Sequence, residues 1–272
     1  MTNTQTRVVT AAVAVPILIL LIFIGGLPWG ILISVAAAIG TYEFYGMAEA
    51  RGYKALAPLG IAVSFGFCFA LALHQPATAL GFIVIGLMVA SALELRGDPE
   101  GAMANLGATF SGILYVGVLL SHAILVRSYM DSNKLGIFFI ITAIGGSMIC
   151  DAGAYFIGRA YGKRKLIPHI SPGKTVEGSA GGFIAGILAV CLSKAIGGMF
   201  MTVPFGWGKA VLLGAMITIG GMIGDLIISM LKRDSGVKDS GKIIPGHGGI
   251  LDRLDSLVWA IPVTYYFAIW AT

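Results

Sequence analysis

The sequence predicts an all-α, polytopic membrane protein with about nine transmembrane helices and two polar cytoplasmic loops. Of its 272 residues, 57% are hydrophobic and only 11% are charged, which is about half the charge of a typical soluble domain. The mean hydropathy is +0.90, and the apolar residues form long uninterrupted runs. A helix that crosses a hydrocarbon core about 30 Å thick needs about 20 such residues. The sequence shows no alternating strands of ten residues, which excludes a membrane barrel.

Nine apolar runs define the predicted helices. The third run is short, and only two glycines separate the first run from the second, so eight or ten spans stay open. The first run contains Pro16 and has no small-residue cleavage site, so it is expected to be a retained span and not a secretion signal. The runs cover residues 8–24, 27–48, 59–73, 78–94, 110–126, 135–157, 178–196, 210–231 and 254–270.

The basic residues predict the orientation. With nine spans, 14 of the 18 lysines and arginines fall on the same side as the N-terminus, and the positive-inside rule places that side in the cytoplasm of an inner-membrane protein. The exceptions are Arg127, Lys134, Lys194 and Lys209. The net charge of +5 therefore faces the cytoplasm, where it suits anionic head groups or a polyanionic soluble substrate better than nucleic acid.

The polar segments predict a division of roles. Residues 1–134, with about five helices, are expected to serve packing and lipid contact, whereas 135–272, with about four, carry catalytic loops at 158–177 and 232–255. In the first part, Glu43 is interpreted as a snorkelling or arginine-paired residue of an aromatic interfacial belt. The three cysteines form no CxxC pair, which indicates small buried hydrophobes without a disulfide or zinc role.

Two aspartates lie inside apolar runs near the predicted cytoplasmic end. Asp151 precedes Arg159 by eight residues and Asp225 precedes Lys232 by seven, so their depths are similar. An unpartnered carboxylate there costs about 2.5 to 3.5 kcal/mol. Ser229 follows Asp225 by four residues and therefore lies on the same helical face. Each aspartate is therefore expected to have a partner. In the simpler interpretation the partner is a loop arginine or water, and in a second interpretation it is a metal cation.

A second pair of carboxylates lies where the chain re-enters the membrane. Asp252 and Asp255 in "DRLD" are three residues apart and can point the same way. Hard oxygen ligands among lysines and arginines favour a divalent cation that bridges carboxylates to phosphates, and Mg²⁺ is the natural candidate. His247 stands alone between glycines, which argues against zinc.

The segment "SMLKRDSGVKDSGKIIPGHGGILDRLD", residues 229–255, resembles the signature of the phosphatidate cytidylyltransferases, also called CDP-diacylglycerol synthases. The likeness extends upstream to Asp225 and to "SPGKTVEG" at 171–178, which is similar to the family's SPKKTxEG element. Gly173 departs from that element because a lysine is common there. One phosphate contact of the family is thus expected to be missing or to be supplied by Lys163 or Lys165.

The resemblance implies that the protein joins CTP to phosphatidic acid, releasing pyrophosphate and making CDP-diacylglycerol. It implies Mg²⁺ in the site, K⁺ as a second cation, and a homodimer. Asp151 would be either a support for "SPGK" or a third carboxylate.

Specific residues follow from the resemblance. The implied metal ligands are Asp225, Asp252 and Asp255. The residues implied to act on the reacting groups are Ser229, Lys232, Arg233, Lys238, Asp239, His247 and Arg253. Those implied to bind substrate are Ser171, Lys174, Thr175, Glu177, Gly248 and Gly249.

Two other functions compete with this interpretation. An ion-coupled transporter would also place carboxylates in the membrane, but it predicts inverted repeats and a midplane site, and the sequence shows neither. A second membrane enzyme of lipid-phosphate chemistry, such as a CTP-dependent lipid kinase, would share most features of the loops. The two enzymes differ in which phosphate of CTP reaches the lipid. The transferase would transfer the α-phosphate, and the kinase would transfer the γ-phosphate.

Overall fold

The computed structural model describes residues 3–97, 99–129, 134–244 and 248–271, and these are almost entirely helical. The predicted all-α class is confirmed. The helices are α1 Asn3–Ile24, α2 Gly26–Ala50, α3 Ala57–Ala72, α4 Pro76–Glu94, α5 Ala102–Gly112, a π-helical segment Ile113–Val118, α6 Leu119–Tyr129, α7 Leu135–Tyr161, α8 Val176–Phe200, α9 Trp207–Asp234, α10 Leu251–Leu254 and α11 Leu257–Ala271. Two strands, β1 Lys165–Ile167 and β2 Ser171–Thr175, lie between α7 and α8.

Six helices among the described residues are long and apolar enough to cross a membrane, so the protein is a multi-pass membrane protein. Three other predicted runs form shorter apolar helices. The 16 residues of α3 rise only about 24 Å, which is less than the thickness of a hydrocarbon core. The count of nine spans therefore stays a prediction. The six long helices are Gly26–Ala50, Pro76–Glu94, Ala102–Ser128, Leu135–Tyr161, Val176–Phe200 and Trp207–Asp234.

The first of two compact units comprises Met1–Leu125 and Leu231–Leu254. Its aromatic core contains Phe44 and Tyr45 of α2, and Leu251 of α10 packs against the same cluster. Leu251 is fully buried. The polar segment at 231–254 is thus anchored to helix α2 by apolar packing, although the sequence division at residue 134 assigned the two to different parts.

The second compact unit comprises Val126–Met230 and Asp255–Thr272. Helices α7 and α8 approach closely because glycines line their contact. A Cβ at Gly182 would lie 2.6 Å from the carbonyl oxygen of Cys150, and one at Gly186 would lie 3.2 Å from Cβ of Cys150. This small-residue spacing packs helices within the chain.

Candidate active site

A β-hairpin carries the "SPGK" residues. Strand β1 pairs antiparallel with β2, with Lys165 opposite Thr175 and Ile167 opposite Ser171. The sequence predicts a loop here, because strands of three and five residues are too short to show a period. Lys165 donates a hydrogen bond from Nζ to the carbonyl oxygen of Pro172, 2.7 Å away. It therefore lies beside Gly173, where the family commonly has a lysine.

Thr175 and Glu177 hold the hairpin to helix α8. Thr175 is the N-cap, and its Oγ1 accepts a hydrogen bond from the amide of Gly178 at 3.1 Å. Glu177, in the first turn, accepts hydrogen bonds from the amides of Lys163 and Arg164 and from Nε of Arg164. Both side chains thus shape the hairpin, and the predicted contact with substrate stays a prediction.

Lys174 of the hairpin forms an ion pair with Asp225 of helix α9. Nζ of Lys174 lies 2.6 Å from Oδ2 of Asp225, and the two side chains are 29% and 24% exposed. Ser229, one turn further along α9, donates a hydrogen bond to Oδ1 of Asp225 at 3.2 Å. A carboxylate, an ammonium group and a hydroxyl therefore meet at a partly exposed place, and this set can bind both a cation and a phosphate.

Asp151 and Asp255 of the same unit share one serine hydroxyl. Oγ of Ser256 lies 3.2 Å from Oδ2 of Asp151 and 3.3 Å from Oδ1 of Asp255. The amide of Ser256 also donates to Oδ1 of Asp255 at 2.8 Å. Asp151 interacts electrostatically with both Asp225 and Lys174. Both expected roles of Asp151, a support for "SPGK" and a third carboxylate, stay predictions.

Asp252 of the first unit accepts hydrogen bonds on both carboxylate oxygens. Nζ of Lys232 donates to Oδ1 at 2.7 Å, and the amides of Ser240 and Gly249 donate to Oδ2 at 2.9 Å and 3.1 Å. The side chains of Lys232 and Asp252 are only 16% and 8% exposed. Burial by itself would raise the pKa of Asp252, but the hydrogen bonds from Lys232 and the two amides outweigh it and hold the pKa below its usual value.

The lowered pKa of Asp252 makes the stability of the first unit depend on pH. Because the pKa of Asp252 is lower in the folded state, its stabilising contribution is complete above the unfolded value of 3.8 and is lost as the pH falls through the folded value. We expect the apparent unfolding temperature of the detergent-solubilised protein to fall more steeply below about pH 4 in the wild type than in Asp252→Asn. Asp234→Asn, in an exposed ion pair with Arg51, should keep the wild-type slope. Equal slopes for the wild type and Asp252→Asn would contradict the assignment.

Glu43 of helix α2 accepts three hydrogen bonds from the segment 240–251. The donors are Oγ of Ser240 at 3.0 Å, the amide of Ile250 at 3.0 Å and the amide of Leu251 at 2.9 Å. Glu43 is 2% exposed. The interpretation of Glu43 as a snorkelling or arginine-paired residue is therefore wrong, because buried donors from a distant segment surround its carboxylate. A sequence signal existed, since Glu43 is the only charged residue in the apolar run 27–48, and such residues are functional candidates by default.

Glycines allow the segment to approach these two carboxylates. A Cβ at Gly249 would lie 2.1 Å from Oγ of Ser240 and 2.5 Å from Oε2 of Glu43, and one at Gly241 would lie 2.4 Å from Oε1 of Glu43. Gly248 has a φ of +85°, which glycine adopts without strain. The conformation thus requires Gly248 and Gly249, and their predicted contact with substrate stays a prediction.

The other predicted residues lie at the surface or outside the described part. Ser171 is half-buried at the start of β2. His247 lies outside the described residues. Four further residues are exposed: Arg233, Lys238, Asp239 and Arg253.

The carboxylates have the donor chemistry that Mg²⁺ prefers. Within the described part of the chain, no three metal-ligating side chains are close enough together to hold an ion by themselves. Mg²⁺ usually takes one or two carboxylates and completes its shell with phosphate oxygens and water. The residues thus fit an ion that arrives with a phosphate substrate. Asp252 and Asp225 belong to different compact units. Coordination of one ion by both carboxylates therefore stays a prediction.

Apolar helices with lysine-paired carboxylates beside polar segments define a multi-pass membrane enzyme of phosphate chemistry. The chain belongs to the cytidylyltransferase family, whose model matches residues 5–270. The resemblance identified from the signature segment is thereby confirmed.

Two of the curated relatives match over nearly the full length of the chain. The chain is 30% identical to the phosphatidate cytidylyltransferase of Bacillus subtilis over 98% of both chains. It is 33% identical to the protein of that name from Brucella suis, over 98% of this chain and 94% of the relative. It is also 38% identical, over 66% of its length, to the uncharacterized protein YnbB of Escherichia coli, of which the match covers 59%.

Proposed function

We propose that the protein transfers the cytidylyl group of CTP to phosphatidic acid, giving CDP-diacylglycerol and pyrophosphate for phospholipid synthesis. The observation that carries this proposal is the similarity to phosphatidate cytidylyltransferases over 98% of the chain. The lysine-paired carboxylates support it, because they provide both cations for phosphates and oxygens for a divalent ion.

In the proposed reaction, an oxygen of the lipid phosphate attacks the α-phosphorus of CTP. A bond forms between that oxygen and the α-phosphorus, and the bond from the α-phosphorus to the oxygen shared with the β-phosphorus breaks. Pyrophosphate leaves with both bonding electrons. The attacking oxygen is already deprotonated at neutral pH, so the protein needs no strong general base. Positioning and charge neutralisation therefore provide most of the catalysis.

The basic residues are assigned to the phosphates. Lys174 and Lys232 each lie within 2.7 Å of a carboxylate, so each is held in a fixed place where it can exchange a carboxylate oxygen for a phosphate oxygen. Arg233, Lys238 and Arg253 are exposed and neutralise the triphosphate and the lipid phosphate.

The remaining polar residues orient these groups. Ser229 and Asp239 align the basic side chains and the phosphates. His247 donates a hydrogen bond to a phosphate and does not act as a nucleophile. Ser171, Thr175 and Glu177 hold the hairpin that presents Lys174.

Mg²⁺ is the proposed cofactor, with Asp225, Asp252 and Asp255 as its carboxylate ligands. When bound, it would neutralise negative charge on the phosphate oxygens of the nucleotide. K⁺ as a second cation and a homodimer are further proposals that rest on the family resemblance. We also propose that the N-terminus and the catalytic segments face the cytoplasm of the inner membrane, in accord with the positions of 14 of 18 basic residues.

Position-specific labels test the reaction. Purified protein is incubated with phosphatidic acid, Mg²⁺ and CTP labelled at either the α- or the γ-phosphorus. We expect the α-label to enter the lipid and the γ-label to leave as pyrophosphate. Transfer of the γ-label to lipid would identify a kinase, and either that result or the absence of any label in lipid would contradict the proposal. The Asp225→Asn variant is the matched negative control.

A further inference from the structure

We propose that Glu43 is a positioning residue that holds Ser240, Ile250 and Leu251 in the arrangement needed for cytidylyl transfer. The functional part of this inference rests on the proposed function, whereas its structural part does not. Glu43 is distant in sequence from all the polar segments, and it lies on a helix that the sequence assigned to packing.

The contacts of Glu43 reach both ends of the segment. At one end Oε2 accepts from Oγ of Ser240, and at the other Oε1 accepts from the amide of Ile250 and Oε2 from the amide of Leu251. A carboxylate is acceptor-only and offers about four lone-pair sites, so these three donors nearly fill it. Burial of Glu43 to 2% exposure removes the competition from water that would weaken these bonds.

Asp252 shares one donor residue, Ser240, with Glu43. Its Oδ2 accepts from the amides of Ser240 and Gly249. Ser240 therefore donates its amide to Asp252 and its hydroxyl to Glu43. Glu43 thus fixes the loop that in turn fixes Asp252, and Asp252 holds Lys232 at 2.7 Å.

The segment needs such fixation because its own sequence does not supply it. Gly241, Gly248 and Gly249 lie in it, and glycine has the largest backbone freedom to lose on ordering. Two of these glycines are also where Glu43 comes closest, since added Cβ atoms would lie 2.4 Å and 2.5 Å from its oxygens. These glycines therefore allow Glu43 to approach, and their backbone freedom is also the reason that the segment requires the carboxylate to become ordered.

Glutamine cannot replace this carboxylate. An amide group has one acceptor oxygen and one NH₂ donor. If the NH₂ takes the place of Oε1, it faces the amide of Ile250, and if it takes the place of Oε2, it faces both Ser240 and Leu251. Glu43→Gln therefore loses at least one hydrogen bond and sets a donor against a donor. Glu49→Gln is the matched control, because Glu49 is exposed on the same helix.

The test combines amide exchange with kinetics. In Glu43→Gln we expect the amides of Ile250 and Leu251 to exchange about tenfold faster or more, with α7 unchanged. We expect kcat to fall about 30-fold or more, while the KM for phosphatidic acid changes less than about threefold, because the lost contacts order a loop and do not bind the lipid. Glu49→Gln should match the wild type in both measurements.

Two further variants keep the test decisive. Glu43→Asp keeps both oxygens on a shorter stem and should lose less activity than Glu43→Gln. Ser240→Ala removes one of the three donors, and its loss should be less than multiplicative with that of Glu43→Gln, because both changes break the same bond. If Glu43→Gln does not fold, Glu43→Asp and Ser240→Ala are each compared with the wild type, and each should lower kcat.

Wild-type exchange of Ile250 and Leu251 in Glu43→Gln would overturn the structural part. Faster exchange with unchanged kcat would overturn the functional part. If the wild-type protein fails to transfer the α-label at all, the proposed function fails, but the exchange measurement still decides whether Glu43 holds the segment.

Discussion

Asp225→Asn is expected to lower cytidylyl transfer by about 1,000-fold or more while the protein stays folded. Asparagine has the shape of aspartate and keeps an acceptor for the hydroxyl of Ser229, which lies 3.2 Å from Oδ1. It loses the charge that pairs with Lys174 at 2.6 Å and that a divalent ion would need. Asp225 and Lys174 are 24% and 29% exposed, so the pair is only partly buried and the cost to folding is expected to be small.

The measurement is transfer of the α-label from CTP to lipid, together with the apparent unfolding temperature in detergent. Asp234→Asn is the control, because Asp234 lies on the same helix and also pairs with a basic residue, Arg51, but is 54% exposed. It should retain activity within about twofold, as expected for an exposed ion pair. Turnover by Asp225→Asn near the wild-type rate would remove Asp225 from the proposed metal site.

The helices were predictable because hydropathy is a local property. Each apolar run is almost entirely helical within the described residues, since a backbone in hydrocarbon has to satisfy its own hydrogen bonds. Whether α3 crosses the membrane depends on the packing of its neighbours and on the bilayer. A hydropathy pattern contains neither, so the number of spans was not predictable.

The partners of the site residues were predictable only over short distances. The spacing of four residues placed Ser229 beside Asp225, and the structure has that hydrogen bond. The ion pair between Lys174 and Asp225 joins residues on different elements. Its formation depends on how the hairpin lies against α9, which no periodicity encodes.

Glu43 shows the limit most clearly. Its donors lie 197 to 208 residues away, so no spacing rule connects them. In sequence alone, a glutamate among aromatic residues near the end of a helix is compatible with interfacial snorkelling, which is a more common role than a buried tertiary contact. Only the tertiary fold, with Leu251 buried on α2, distinguishes the two.

Removing Lys232 is expected to cost both stability and activity, and only the stability should be recoverable. The Lys232 and Asp252 side chains are 16% and 8% exposed, and breaking a buried ion pair by removing one partner typically costs about 3 to 5 kcal/mol. Lys232→Met leaves the charge of Asp252 with two amide donors and no cation. We expect the free energy of unfolding to fall by about 3 kcal/mol and α-label transfer to fall more than about 100-fold.

The double variant Lys232→Met/Asp252→Asn separates the two roles of this pair. Without the aspartate charge, no uncompensated charge is buried, so we expect it to regain more than about half of the lost unfolding free energy. It should stay inactive, because neither the ammonium group for phosphate nor the carboxylate is restored. The exposed pair Arg51 and Asp234, at 51% and 54% exposure, provides the control cycle, with an expected coupling below about 1 kcal/mol. If the double variant regained activity together with stability, the pair would be structural only, and the phosphates would have to be neutralised by the exposed basic residues instead.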